Sequence, residues 1–253
     1  MKRMQKLLLL LFVCFSALRS QAQIGEYRSE FAVGASAGYV LSQVGFMPEV
    51  PQLQHKGLTA GLTARYTTEK YFSSICSIVA ELNYVQVGWE EEILTPNDEP
   101  VINTYTGQPE YYKRDMSFLQ IPVLARMGWG RERSGFQFFF QIGPQMGVFL
   151  GEKTNKNFNI NERNARARTS QIIAQDTMAV ENKLEYGLTG GVGLEFSHRK
   201  LGHFLLEGRY YYGLGDLYGN SKKDYFGRSN LTNIVVKLTY MIDLHKTNNP
   251  KIK

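Results

Sequence analysis

The 253-residue chain carries a formal net charge of +6, but Lys2, Arg3, Lys6 and Arg19 lie in an N-terminal segment read below as a cleaved signal, which leaves +2 on the remainder. So small a surplus excludes a nucleic-acid binder, which needs a clustered basic face. Of the two cysteines, Cys14 falls in the same segment, so Cys76 has no partner for an internal disulfide.

Residues 1–22 have the form of a secretory signal: a basic start, the apolar run Leu7–Leu18, and Ser20-Gln21-Ala22 with cleavage expected after Ala22. Val13 before Cys14 is too large for a lipoprotein signal. No later apolar run approaches the ~18–20 residues of a spanning helix. If the mature chain enters a membrane it must do so as a closed barrel, because lipid offers no partners to an open sheet edge.

The rest of the chain reads as alternating runs, in which successive side chains point to opposite faces. Glu30–Ser42 alternates loosely. Gly57–Thr67 sets Leu58, Ala60, Leu62, Ala64 and Tyr66 against Thr59, Thr63 and Arg65. Ser74–Trp89 sets Ile78, Ala80, Leu82 and Tyr84 against Glu81 and Asn83, and its parity blurs after Tyr84, as a bulge would cause. Cys76 is expected to be a small buried filler.

Phe118–Leu150 is a hairpin about the polar turn Arg131–Ser134, with Gln120, Arg126 and Gln141 opposite Ile121, Val123, Phe138 and Phe140. Tyr186–Phe196, a run from Phe204 to Tyr212, and Ile234–Tyr240 complete eight strands. Their connections alternate long and short, with the longest at Ile93–Arg114 and Glu152–Lys183. Glycines 190, 191 and 193 lie inside a strand and make room in a narrow interior rather than a phosphate loop.

These features predict an all-β fold: an eight-stranded antiparallel up-and-down transmembrane β-barrel with short periplasmic turns and long extracellular loops. It occupies residues 23–245, with a polar C-terminal tail at 246–253. A soluble barrel of the lipocalin type shares the alternation, but its greasy face would point inward. Reversing the faces here would put Arg209 and Lys237 in lipid at ~2–4 kcal/mol each near the midplane. The expected lumen therefore holds a charge network of Arg65, Glu81, Arg126, Glu195, Glu207, Arg209 and Lys237, and an eight-stranded barrel is narrow enough for side chains to fill it. Trp89, Trp129, Tyr66, Phe196, Tyr212 and Tyr240 are expected as interfacial anchors, with Trp89 at the outer rim and Trp129 at the periplasmic rim.

The stretches FLQIPVLAR, FQIGPQMGVFL, AELNYVQVG, LEYGLTGGVGLEF and GRYYYGLGDL together resemble the PorT-like outer-membrane β-barrel family. The resemblance implies an outer-membrane barrel, in a family whose founding member assists type IX protein secretion.

Chemical motifs are sparse. No two histidines share a ligand spacing, and the one G-x-S-x-G match, Gly34–Gly38, lies inside the alternating run Glu30–Ser42 and so makes no nucleophile elbow. His198 and His203 flank a periplasmic turn and read as interfacial. His55 with Ser42 and Glu49 is the one constellation that a rim enzyme could use. Glu90, Glu91 and Glu92 read as a solvated rim, and Arg163, Arg166 and Arg168 as loop contact residues for lipopolysaccharide or a partner. The expectation is a non-enzymatic outer-membrane protein without cofactor or metal, surrounded by outer-membrane lipid and lipopolysaccharide. Its extracellular loops would meet protein partners, with a role in type IX-like secretion or envelope assembly. A small porin and a rim enzyme are the alternatives.

Overall fold

The computed structural model describes residues 25–247. The expected signal peptide and most of the polar tail lie outside the described residues. Eight long strands and one short one follow in order. They are β1 Glu26–Met47, the two-residue β2 Gln52–Leu53, β3 His55–Tyr71, β4 Ser74–Glu91, β5 Tyr112–Gly130, β6 Gly135–Lys156, β7 Leu184–His198, β8 Gly202–Asp216 and β9 Arg228–His245. Every long strand pairs antiparallel with its neighbours. β1 pairs with β9 and β4 with β5, so the sheet closes into a ring with no long edge left open. Closure satisfies the backbone groups that lipid cannot.

The alternation read from the sequence sets the two faces. On β5, Leu119, Ile121, Val123, Ala125, Met127 and Trp129 turn outward, while Gln120 and Arg126 turn inward and are buried. On β6 Phe136, Phe138, Phe140 and Ile142 are likewise outward and exposed. Short turns at 72–73, 131–134 and 199–201 lie at one end, which is the periplasmic end, and the long connections 92–111, 157–183 and 217–227 lie at the other.

The strands are longer than a bilayer requires. β1 and β6 each have 22 residues, against the ~9–11 that cross hydrocarbon at a tilt. The excess lies beyond the outward apolar band: on β5 it begins at Ser117, Asp115 and Lys113, and on β3 at Lys56. The barrel wall therefore rises above the membrane, and there its interior is apolar. Val40, Val44, Phe46, Val85, Val87, Trp89, Met116 and Phe118 point inward and pack against Phe158, Val180, Leu217, Tyr218 and Phe226 from the loops.

This corrects three expectations. β4 carries no bulge after Tyr84; its register with β5 runs on unshifted to Glu90, and the shift near it falls at the periplasmic end, between Thr67 and Glu69. The parity blurred because the inward positions themselves turn apolar. Trp89 is 0% exposed and is no interfacial anchor: it packs edge-on to Phe46 at 5.4 Å, with the Arg114 guanidinium 5.0 Å from its ring. Cys76 is half-buried on the outward face, in line with Ile78 and Leu82, so it is not a core filler.

Candidate functional site: a filled lumen under a folded cap

The polar half of the lumen is a network of ion pairs. In ring order β4 stands opposite β8, and β3 opposite β7. Arg209 on β8 crosses to Glu81 on β4, donating from Nη1 to Oε2 at 2.7 Å and from Nη2 to Oε1 at 2.6 Å. Arg209 also meets Glu207 at 2.9 Å, and Lys237 bridges Glu81 at 2.8 Å and Glu207 at 3.1 Å. Gln141 donates to Glu207 at 2.6 Å, and Asn83 to Glu81 at 2.8 Å.

Nearer the periplasm, Arg65 on β3 reaches Glu195 on β7 at 2.7 Å, and Arg126 also donates to Glu195. Arg126 stacks over Phe139 at 3.8 Å. That ring fits because residue 193 is glycine: a Cβ there would lie 2.4 Å from Phe139 Cζ. The seven residues expected in the lumen all point into it, as two groups: Glu81, Glu207, Arg209 and Lys237, and below them Arg65, Arg126 and Glu195. His203, expected at the interface, is instead buried at the periplasmic mouth, with Nδ1 at 2.7 Å from Glu195 and Nε2 at 2.9 Å from Asp243. Below it Glu132 from the β5–β6 turn holds Arg28 at 3.1 Å and Lys70 at 2.7 Å. Buried charges with this many partners are what makes such a lumen tolerable; a single unpaired one would cost several kcal/mol.

The extracellular end is closed by a folded cap. The 92–111 and 157–183 connections are zipped together: Thr169 N donates to Leu94 O at 2.8 Å, Asn103 Nδ2 to Glu162 O at 3.0 Å, and Asn164 Nδ2 to Ile102 O at 3.1 Å. At their centre Arg168 is buried, bound to Glu110 at 2.9 Å and to Glu91 at 3.2 Å, with its guanidinium 5.4 Å from the Phe158 ring. Arg163 pairs with Asp176 at 3.4 Å. Of the three loop arginines expected to face a partner, Arg168 is therefore structural, Arg163 is half-buried in a pair, and Arg166 is exposed.

Nor is the acidic run a solvated rim throughout. Glu91 is buried against Asp176, accepting from Gln175 Nε2 at 3.1 Å. Burial and the neighbouring Asp176 carboxyl push Glu91 up to about 8, and burial raises Asp176 as well.

A third cluster sits in the wall, just above the apolar band. The ladder between β3 and β4 stops at Thr59–Val85. Beyond it Ser42 Oγ takes over the β4 backbone, accepting from Gly88 N at 2.9 Å and donating to Gly88 O at 3.0 Å. His55 fills the split. Its Nδ1 lies 3.4 Å from Ser42 Oγ and its Nε2 2.6 Å from Asp115 Oδ1, and burial lowers its proton affinity. Gly88 makes room on both sides, since a Cβ there would lie 1.9 Å from Arg114 O and 3.1 Å from His55 Cδ2. Glu49, the acid first paired with His55 in the sequence reading, is not its partner; Asp115 is. Ser42 is 1% exposed and faces the interior, whereas Asp115 faces outward. A substrate arriving from outside would meet the acid, with the serine on the far side of the wall.

The remaining anchors lie on the outward face. Trp129 donates from its indole N–H to Ser74 Oγ at 2.8 Å and stacks on Phe138 at the periplasmic rim. Tyr66, Phe196 and Tyr240 are exposed, and Tyr212 is half-buried with its hydroxyl against Arg228. Among the described residues no group of His, Cys, Asp and Glu is arranged to hold a metal ion.

A family profile described as "Outer membrane protein beta-barrel domain" matches residues 21–219. No curated protein matches the chain. Similar solved structures include the outer membrane protein OprG from Pseudomonas aeruginosa, at 14% identity over 86% of this chain and 98% of that one, TM-score 0.40. The attachment invasion locus protein Ail of Yersinia pestis is 14% identical over 84% of this chain and 99% of its own, TM-score 0.35. Neisserial surface protein A is 11% identical over 83% and 96%, TM-score 0.39.

Proposed function

Because the chain belongs to the outer membrane protein beta-barrel domain family, we propose that it is a non-enzymatic envelope component that engages a protein partner through its extracellular cap. The finer reading is a PorT-like barrel assisting protein secretion or envelope assembly. The observation that carries it is the cap itself. Loops that only bridged strands would not need a buried Arg168–Glu110–Glu91 centre and an apolar core of their own. The cap also exposes Ile102, Tyr105, Tyr225 and Arg166, surface that lies beyond the lipid band. Aromatic residues and arginine are the types that dominate binding energy at protein interfaces.

Replacing Tyr105 and Tyr225 by Ser tests this reading. Both are exposed, so the barrel should fold, and capture of a specific envelope partner from native membranes should fall sharply. Undiminished capture would remove the cap as the binding surface. The paired lumen speaks against a porin, and the inward Ser42 against a rim hydrolase. Alanine at Ser42 is expected to leave any hydrolytic activity of the purified protein unchanged.

A further inference from the structure

The outer wall carries a two-part pocket that neither the lumen nor the cap uses. Its upper part is a cavity of about 500 Å³ on the outer surface, lined by Lys56, Lys113, Lys153, Gln86 and Ser117. It stands at the level where the outward residues change from apolar to polar, Leu58 giving way to Lys56 on β3 and Leu119 to Ser117 on β5. Its lower part is an apolar groove of about 610 Å³ inside the lipid band, floored by Ala37 and Ala60 and walled by Tyr39, Leu58 and Tyr84. Gln86 lines both parts. Tyr84 joins them too, because its ring borders the groove while its hydroxyl lies 2.9 Å from Ser117 Oγ.

The two acids in the upper part are already engaged. Asp115 is held by His55 at 2.6 Å and Lys113 at 3.5 Å, and Glu152 by Arg114 at 3.3 Å. Lys56 and Lys153 are exposed and, among the described residues, form no ion pair. The pocket therefore presents free cations at headgroup height, joined at Gln86 to an apolar slot for a hydrocarbon chain.

We propose that this pocket binds one phosphorylated glycolipid of the outer leaflet, of the lipid A type. Its phosphate is held by Lys56 and Lys153, and one acyl chain lies in the Ala37–Ala60 groove. Phosphate draws Lys as a point charge, and near a membrane surface each such contact adds to binding in a salt-dependent way. The alanines leave the groove open between the tyrosine and leucine side chains. This assignment is independent of whether the cap binds a protein.

Native mass spectrometry of the purified full-length barrel with added bisphosphorylated lipid A tests it. The wild type should retain one lipid A through detergent exchange and retain the dephosphorylated form far more weakly. The double variant Lys56→Gln/Lys153→Gln should bind lipid A about thirtyfold more weakly. Ala60→Phe, which fills the groove and leaves the lysines in place, should also lose retention. Lys222→Gln/Lys223→Gln, exposed lysines of the 217–227 loop, should not. All three variants change exposed positions, and heat-modifiable gel migration reads their folding directly. Equal retention by the Lys56/Lys153 variant and the wild type would overturn the proposal. So would a loss in the Lys222/Lys223 control as large as theirs, or displacement of lipid A by millimolar inorganic phosphate, which would make this a free-phosphate site.

Discussion

Arg209 and Glu81 meet across the full width of the barrel, two nitrogens on two oxygens at 2.7 and 2.6 Å. They sit on opposite strands of the ring, β8 and β4, so the pair ties the wall across its diameter. Replacing Arg209 by Met leaves Glu81 with Lys237 as its sole cation and should cost about 3–5 kcal/mol, the usual penalty for stranding a buried charge. Urea unfolding of the refolded protein in lipid vesicles measures it. Adding Glu81→Gln to the same chain should recover part of the loss, because the stranded charge is then gone. A loss below about 1 kcal/mol for the single variant, the level of an exposed pair, would mean that water reaches the network.

Gly193 and Phe139 form the second test. The missing Cβ lets the Phe139 ring lie flat beneath Arg126. Gly193→Val should overpack the lumen by about 1–3 kcal/mol and slow folding into the heat-modifiable form. Phe139→Ala in the same chain should relieve part of the overpacking, the part left being the contact with Leu206 O, 2.7 Å from a Cβ at residue 193. If both the single and the double variant fold like the wild type, the lumen is looser than the contacts imply.

The cap should weaken as pH rises. Glu91 is held up to about 8 in the folded cap, above its ordinary value near 4.3, so the docked cap binds a proton that the undocked cap releases. Docking is then strongest at low pH. It weakens through the window from the ordinary carboxylate range to about 8 and levels off above it. Hydrogen-exchange protection factors of residues 157–183 should fall between pH 6 and pH 9, and tryptic cleavage after Arg163 and Arg166 should increase relative to that of the unfolded chain at the same pH. Glu91→Gln should flatten the dependence. A wild-type cap equally protected at both pH values would show that Arg168 neutralises the pair by itself.

In planar bilayers the wild type should give no stable openings. Removing the cap alone should change little, because the Glu81–Arg209–Lys237 layer lies below it. Conductance should appear once those three residues are also replaced by Ser. Stable large openings of the wild type would contradict a lumen filled as described.

Much of this was legible along the chain. Period-two alternation is a local property, and it marked the strands, their lipid faces and the mid-strand charges of the lumen, since Lys and Arg near mid-strand tolerate only one side; it did not mark His203, Arg28 or Glu132 at the periplasmic mouth. The continuation of that parity on β4 was legible too: Glu81, Asn83, Val85, Val87, Trp89 and Glu91 all share one face. Its meaning was not. A tryptophan on the inward face looks misplaced until the wall is known to rise above the membrane and to close over a second, apolar core.

The sequence alone determined the ring of strands, the orientation of its faces and the charge of its interior, because each follows from short-range alternation and the cost of placing charge in hydrocarbon. Only the tertiary structure decided which charges meet. Arg209 finds Glu81 and Arg65 finds Glu195 because closure sets β8 opposite β4 and β7 opposite β3. His55 finds Asp115 because the β3–β4 ladder stops at Thr59–Val85. Arg168 is buried because two loops distant in sequence pack around it. Each of these contacts joins residues far apart in the chain, and no local pattern records such a distance.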